Sequence, residues 1–268
     1  MRARGCAVTR AMRSVVAWLA FAGLACAALA CSSEAPPRPQ WVIHVGTDAP
    51  VPQFGDRLLA EVLDDDGELA CSGCRRVFPI GADTVWPLSF GVVDDGAAEP
   101  LVRVRLYRAV VAGSDGLPPP ASLHLDAVGR LTRGLTSTGM SLDMRCFGRN
   151  DARPTHACDP VSGNITAATA LPRFDNDLPA PGSWDVGARV PCSDPPMGMA
   201  CVDGGAFLLG DARGWLAGLP EWQSTPERLV VVAPFAIDRD EVDVATVQSI
   251  LAELDAPPSS QSGSDANV

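Results

Sequence analysis

The cysteines are the residues of this 268-residue chain best suited to chemistry, and their spacing sorts them into groups. Cys6 and Cys26 lie inside an N-terminal segment of export character, and Cys31 stands directly after it. Six more follow: Cys71, Cys74, Cys146, Cys158, Cys192 and Cys201. An even number in an exported chain reads as disulfides, and near-neighbour spacing predicts Cys71–Cys74, Cys146–Cys158 and Cys192–Cys201. The middle pair would close a loop worth about 3 kcal/mol by restricting the unfolded chain. Zinc is disfavoured by spacing, because Cys71-x-x-Cys74 has no second CxxC or HxxxH and His156 stands alone beside Cys158. A redox reading of Cys71-Ser-Gly-Cys74 competes, since Arg75 and Arg76 would favour a thiolate. A thioredoxin-type CxxC opens a helix, however, and RRVFPIG carries Pro and Gly and no helical period, which makes a structural bridge the better expectation.

Acid–base chemistry has few candidates. The chain has three histidines, His44, His124 and His156. His124 and Asp126 would share a strand face, but no G-x-S-x-G or comparable nucleophile motif accompanies them, and a solvated face is the simpler expectation. Asp64-Asp65-Asp66-Gly67-Glu68 suggests calcium at first sight, yet the alternating acids of an EF-hand loop are missing and an acidic hairpin turn accounts for it. No catalytic residue, metal site or cofactor is expected.

The elements that position these residues begin with an address. Arg2, Arg4, Arg10 and Arg13 form a basic head, and Ser14 to Ala30 follow without a charge. This is the pattern of an export signal, with a retained membrane helix as the competing reading. Ala28-Leu29-Ala30-Cys31 resembles the lipobox of bacterial lipoproteins, with Ala28 where Leu is commonest; Gly23-Leu24-Ala25-Cys26 is a poorer second match. The resemblance implies a diacylglyceryl group on Cys31 and cleavage before it, with plain cleavage as the alternative. Acyl chains would anchor the protein without a basic patch. Ser32 rather than Asp after the cysteine favours the outer membrane, on its periplasmic or surface face. Residues 31–40 (CSSEAPPRPQ) then read as a tether.

Composition limits the partners. All 21 basic residues are Arg, the acids number 32, and the net charge is −11. Loss of residues 1–30 removes four arginines and no acid, which leaves −15. Such a chain repels nucleic-acid phosphates, so its membrane contact is expected through lipid alone. A 47% hydrophobic content is ordinary for a folded protein.

Period-two patterning dominates residues 41–149. Trp41, Ile43 and Val45 alternate with Val42, His44 and Gly46, and Leu88, Phe90 and Val92 with Ser89 and Gly91. Val102, Val104 and Leu106 alternate with Arg103, Arg105 and Tyr107; Leu123, Leu125 and Ala127 alternate with His124 and Asp126. Met140 to Cys146 shows the same period, and Leu58–Leu63 is apolar on both faces except Glu61. Alternation places one face on a core and one in water. With Asp-Gly turns between the runs, the expectation is a mainly β protein built on an antiparallel β-sandwich. Residues 150–196 are polar and aperiodic and read as a linker fastened by disulfides.

Residues 197–256 follow another pattern. Gly204-Gly205-Ala206-Phe207-Leu208-Leu209-Gly210 leads to Pro226-Glu227-Arg228, Val230 and Val232, then Pro234-Phe235-Ala236-Ile237-Asp238 and Arg239-Asp240-Glu241-Val242. In this order and spacing the segment resembles the opening of the formylglycine-generating, or sulfatase-modifying-factor, domain family. Asp243 stands where that family usually has Thr, and Val247 and Ile250 where it usually has aromatics. The resemblance implies a partial, truncated mixed α/β segment. The family's catalytic cysteines and calcium ligands lie beyond the region of likeness, so none is carried onto a residue here. On the residues alone, Val230 to Val232 read as a buried strand. Asp243 is placed to cap a helix striped with Val247, Ile250, Leu251 and Leu254, before Pro257-Pro258 and a disordered tail to 268.

Two functions follow as expectations. The first is a non-catalytic, lipid-anchored envelope protein whose sandwich binds or presents something. The second is the N-terminal part of a formylglycine-generating-type enzyme whose catalytic portion lies elsewhere.

Overall fold

The alternating run that opens the folded region forms β1 (Gln40–Thr47), with Trp41, Ile43 and Val45 turned inward and almost wholly buried. The computed structural model describes residues 38–94, 96, 99–212 and 227–253. Cys6, the apolar stretch 14–30, Cys26, the lipid-attachment candidate Cys31, Pro226, Leu254 and the 257–268 tail lie outside the described residues.

β1 pairs antiparallel with β4 (Leu88–Val93) and parallel with β7 (Ser137–Leu142), which makes a three-stranded sheet. A five-stranded sheet runs in the order β10 (Thr169–Ala170), β6 (Leu125–Arg130), β5 (Leu101–Tyr107), β2 (Arg57–Leu63) and β3 (Arg75–Pro79). The protein is mainly β. Most pairings are antiparallel, but β1–β7 and β10–β6 are parallel. Local alternation specifies a strand's inward face and leaves the direction of a distant partner open.

Both sheets contribute to one apolar core. Ile43, Met140 and Leu142 enter from the first, Leu58, Val104 and Leu125 from the second. Each fully buried aliphatic side chain contributes roughly 1.5–3 kcal/mol, so this shared face is the main source of stability. The 140–146 run is strand only to Leu142. Met144–Cys146 is a 3₁₀ turn, with the Asp143 carboxylate accepting the Arg145 N–H at 2.8 Å. β3 was not expected from RRVFP. It is an edge strand with little buried surface, so its side chains carry no inward–outward signal. The acidic turn is a hairpin tip: Asp64 Oδ1 accepts the N–H groups of Asp66 (3.0 Å) and Glu68 (2.9 Å), and Gly67 supplies a φ of 85°.

The aperiodic stretch 150–196 covers sheet faces. β8 (His156–Cys158) pairs with β9 (Ile165–Ala167), and Leu171 enters the core. Phe174 stacks on His44 of β1 with ring centroids 3.8 Å apart, and Leu178 and Pro179 lie over Gly46. Apolar residues spaced irregularly along a covering segment leave no period in the sequence.

The C-terminal segment forms two ladders, β11 (Met199–Val202) with β14 (Phe235–Asp238), and β12 (Gly205–Leu209) with β13 (Arg228–Val232). Ala206, Leu208 and Leu229 pack against the shared core, and Glu227 forms an ion pair with Arg108. A Cβ at Gly204 would sit 2.6 Å from the backbone nitrogen of Pro234, which explains glycine there. Helix α1 (Val244–Glu253) is capped by Asp243, whose Oδ1 accepts the Thr246 N–H at 2.6 Å. Its stripe, Val247, Ile250 and Leu251, is exposed.

Candidate functional site

Strand alternation turns Glu61 of β2, Arg103 and Arg105 of β5, and Asp126 of β6 to the face of the five-stranded sheet opposite the core. This face is not solvated, contrary to the reading of His124 and Asp126 as a solvated face. Glu61, Asp126 and Arg103 retain 3%, 3% and 7% exposure, and His124 only 1%. The reason is non-local. Chain beyond β7 folds back over the sheet: the Asp151 carbonyl accepts the Arg103 guanidinium at 3.1 Å, and β8 packs against β6. The Cys146–Cys158 disulfide ties this cover down.

Directly across the ladders, Glu61 faces Arg103 and Arg105 faces Asp126. The hydrogen bonds of Glu61 to Arg105 and of Arg103 to Asp126 run along the diagonals, and that of Glu61 to Arg75 runs directly across the β2–β3 ladder. Glu61 Oε1 accepts Arg75 Nε at 2.8 Å, and its Oε2 accepts the Arg105 guanidinium. Arg103 Nε donates to both Asp126 oxygens, at 2.9 and 3.1 Å, and its Nη2 adds a further bond to the same carboxylate. Opposite charges therefore neighbour one another from strand to strand across this patch, while Arg103 and Arg105 lie side by side along β5. Burial pushes the Arg103 guanidinium toward losing its proton, but the Asp126 hydrogen bonds and charge outweigh that and raise its pKa.

Beside the patch lies a half-open cavity of about 330 Å³, at the small end of the range for ligand pockets. Glu61, Arg75, Arg103 and Arg105 form its polar wall, Leu63, Leu69 and Pro154 its apolar one, and Glu68 lies on its exposed rim. The Arg105 Nε–H is buried with no acceptor among the described residues.

Ser122, His124 and Asp126 occupy alternate positions, yet they do not form a nucleophile. The Ser122 hydroxyl donates to the Pro119 carbonyl at 2.7 Å, and Asp126 is taken by Arg103. His124 Nδ1 lies 3.0 Å from the Ser122 carbonyl oxygen and 3.1 Å from Asn150 Nδ2. Burial lowers the His124 pKa to about 4, so it is neutral at pH 7. This is a structural network. Among the described residues no three His, Cys, Asp or Glu side chains are placed to hold a metal ion.

The six cysteines form three disulfides, Cys71–Cys74, Cys146–Cys158 and Cys192–Cys201. Cys71–Cys74 is at the end of the β2–β3 hairpin, where the Cys74 carbonyl accepts the Val62 N–H at 2.8 Å and the chain passes into β3 rather than a helix. Cys192 and Cys201 brace the C-terminal segment, with the Cys192 N–H on Asp203 Oδ1 at 2.8 Å. Three disulfides indicate a non-reducing compartment. Among the described residues no helix is long and apolar enough to cross a membrane.

The charged patch was not anticipated as a unit. Its one trace in the sequence is Glu61, a lone acid in a strand apolar on both faces, read together with arginines at alternate positions 103 and 105. Comparison with known families, with curated proteins and with solved structures matches none of them to this chain.

Proposed function

We propose that this chain is an exported, lipid-anchored envelope protein, with Cys31 as the acylated residue and the outer membrane as its location. Residues 41–149 serve as a β-sandwich that binds a ligand without transforming it. The observation that carries the binding reading is the covered charged cleft: its buried carboxylate Glu61 and the neighbouring Asp126 are committed to arginines, His124 on the same sheet face is neutral and walled in, and one guanidinium N–H has no acceptor among the described residues. Such a cleft can hold a polar ligand, while Glu61, Asp126 and His124 are held in structural bonds and are not free to act on one as a base. Two sheets sharing one core support the sandwich, and the three disulfides support export. The test of the anchor is radiolabelled-palmitate incorporation in wild type and Cys31→Ala. Label is expected in the first only; label persisting in the variant refutes the anchor.

One observation favours a second reading, in which residues 197–256 open a formylglycine-generating-type domain completed by further sequence. Val231, Phe235, Ile237, Val244 and Ile250 all expose large apolar side chains, a surface suited to burial against more protein. Sequencing the DNA downstream of the Val268 codon separates the two: continuation with that family's motifs supports this reading, and unrelated sequence counts against it.

A further inference from the structure

We propose that the cavity beside β2 and β5 is a binding site for a small monocarboxylate with an apolar body. This inference deepens the reading of the domain as a binding module and does not depend on the lipid anchor.

The first argument is charge. Three guanidinium groups, from Arg75, Arg103 and Arg105, line the cavity, and the carboxylates they engage are two, Glu61 and Asp126. One positive charge is left over within a chain whose net charge is −11. Glu68 adds a third carboxylate at the exposed rim, unpaired with these arginines and screened by water and salt as the part-exposed Arg75 also is. A monoanion would pair the guanidinium head of Arg75, whose one hydrogen bond among the described residues is through Nε to Glu61.

The second argument is geometry. The Arg105 Nε–H is buried without an acceptor among the described residues, although Arg105 Nη2 is held on Glu61. Arg75 commits only its Nε, leaving its terminal nitrogens free of hydrogen bonds among the described residues. Its side chain is 41% exposed, which makes these donors reachable from the mouth. A planar carboxylate matches the guanidinium fork and can bridge the two arginines. Beyond the charged wall, Leu63, Leu69 and Pro154 provide a surface for an apolar substituent, and a volume of about 330 Å³ suits a molecule the size of benzoate.

The test titrates the full chain with benzoate and, separately, with neutral benzamide, following backbone amide shifts and heats of binding. Saturable shifts around Arg75 and Arg105 with benzoate, and none with benzamide, are expected. Arg105→Gln should weaken benzoate binding by about tenfold or more, the loss of a charge-assisted hydrogen bond. Because that variant also removes a partner of buried Glu61, Arg75→Gln at the half-exposed mouth is made in parallel, with circular dichroism as a folding check; it should weaken binding too. Arg133→Gln, on a separate exposed loop, should change nothing. No response to benzoate, or undiminished affinity in a folded Arg75→Gln variant, overturns the assignment. Equal binding of benzamide overturns the carboxylate while leaving the domain a binding module.

Discussion

Glu61 is bound diagonally by Arg105 across the β2–β5 ladder, while the residue directly opposite it is Arg103, which turns instead to Asp126. Each buried carboxylate thus has a hydrogen-bonded arginine and a second arginine as its cross-strand or diagonal neighbour. Replacing one member breaks more than one attraction.

Glu61→Ala should accordingly destabilise the protein by roughly 3–5 kcal/mol, the cost of stranding a buried charge. The midpoint of urea unfolding measures it. A loss below about 1 kcal/mol, as for an exposed ion pair, would show that this face is open to water.

The disulfides should differ in value. Serine at both Cys146 and Cys158 should cost about 3 kcal/mol, and the shorter Cys71–Cys74 loop less, from the dependence of chain entropy on loop length. Hydrogen exchange adds a spatial check: loss of Cys146–Cys158 should expose amides of β6, because that bridge holds the cover over the charged face.

The pH dependence of stability should contain two opposed contributions. Burial raises the Asp48 carboxyl to about 6, the Met144 N–H bond to it notwithstanding, so folding takes up a proton there and stability falls as pH rises from about 4 to 6. Burial lowers His124 to about 4, so its contribution is present above about 6.5 and is lost as pH falls toward 4. Asp48→Asn should steepen the acid lability, and His124→Gln should reverse the slope. Unfolding free energies measured from pH 4 to 7 decide both signs.

Gly204→Ala should cost about 1–3 kcal/mol by forcing a methyl group against the Pro234 backbone. Thermal unfolding reads the loss. A neutral result would mean that β12 and β13 separate from the Pro234 turn without penalty.

Much of the fold was legible wherever a residue's environment is set by its chain neighbours. β1, β4 and β5 follow from alternation, the Asp64–Gly67 tip from turn chemistry, the cysteine pairs from spacing, and the Asp243 cap from its place before a helical stripe. What escaped depends on distant chain. Alternation distinguishes the two faces of β5 and β6 but cannot report that residues 150–158 return to cover the polar one, so Arg103, His124 and Asp126 looked solvated. The parallel partner of β1 was hidden for the same reason. The cavity combines both difficulties: its residues come from β2, β3, β5, the hairpin tip and the covering segment, and each of its charged residues taken alone resembles an ordinary surface charge.

The parallel β1–β7 ladder has a consequence for biogenesis. Thr47 holds the Leu142 carbonyl across 95 positions of sequence, so the opening strand of the folded region cannot close its sheet until β7 has been made. Closing so wide a loop is slow compared with forming a local hairpin. A chain emerging amino-terminus first therefore leaves one edge of β1 without its partner until residue 142 has been made, even after β4 has paired with the other edge, and residues 40–47 are a target for an escorting chaperone over that interval.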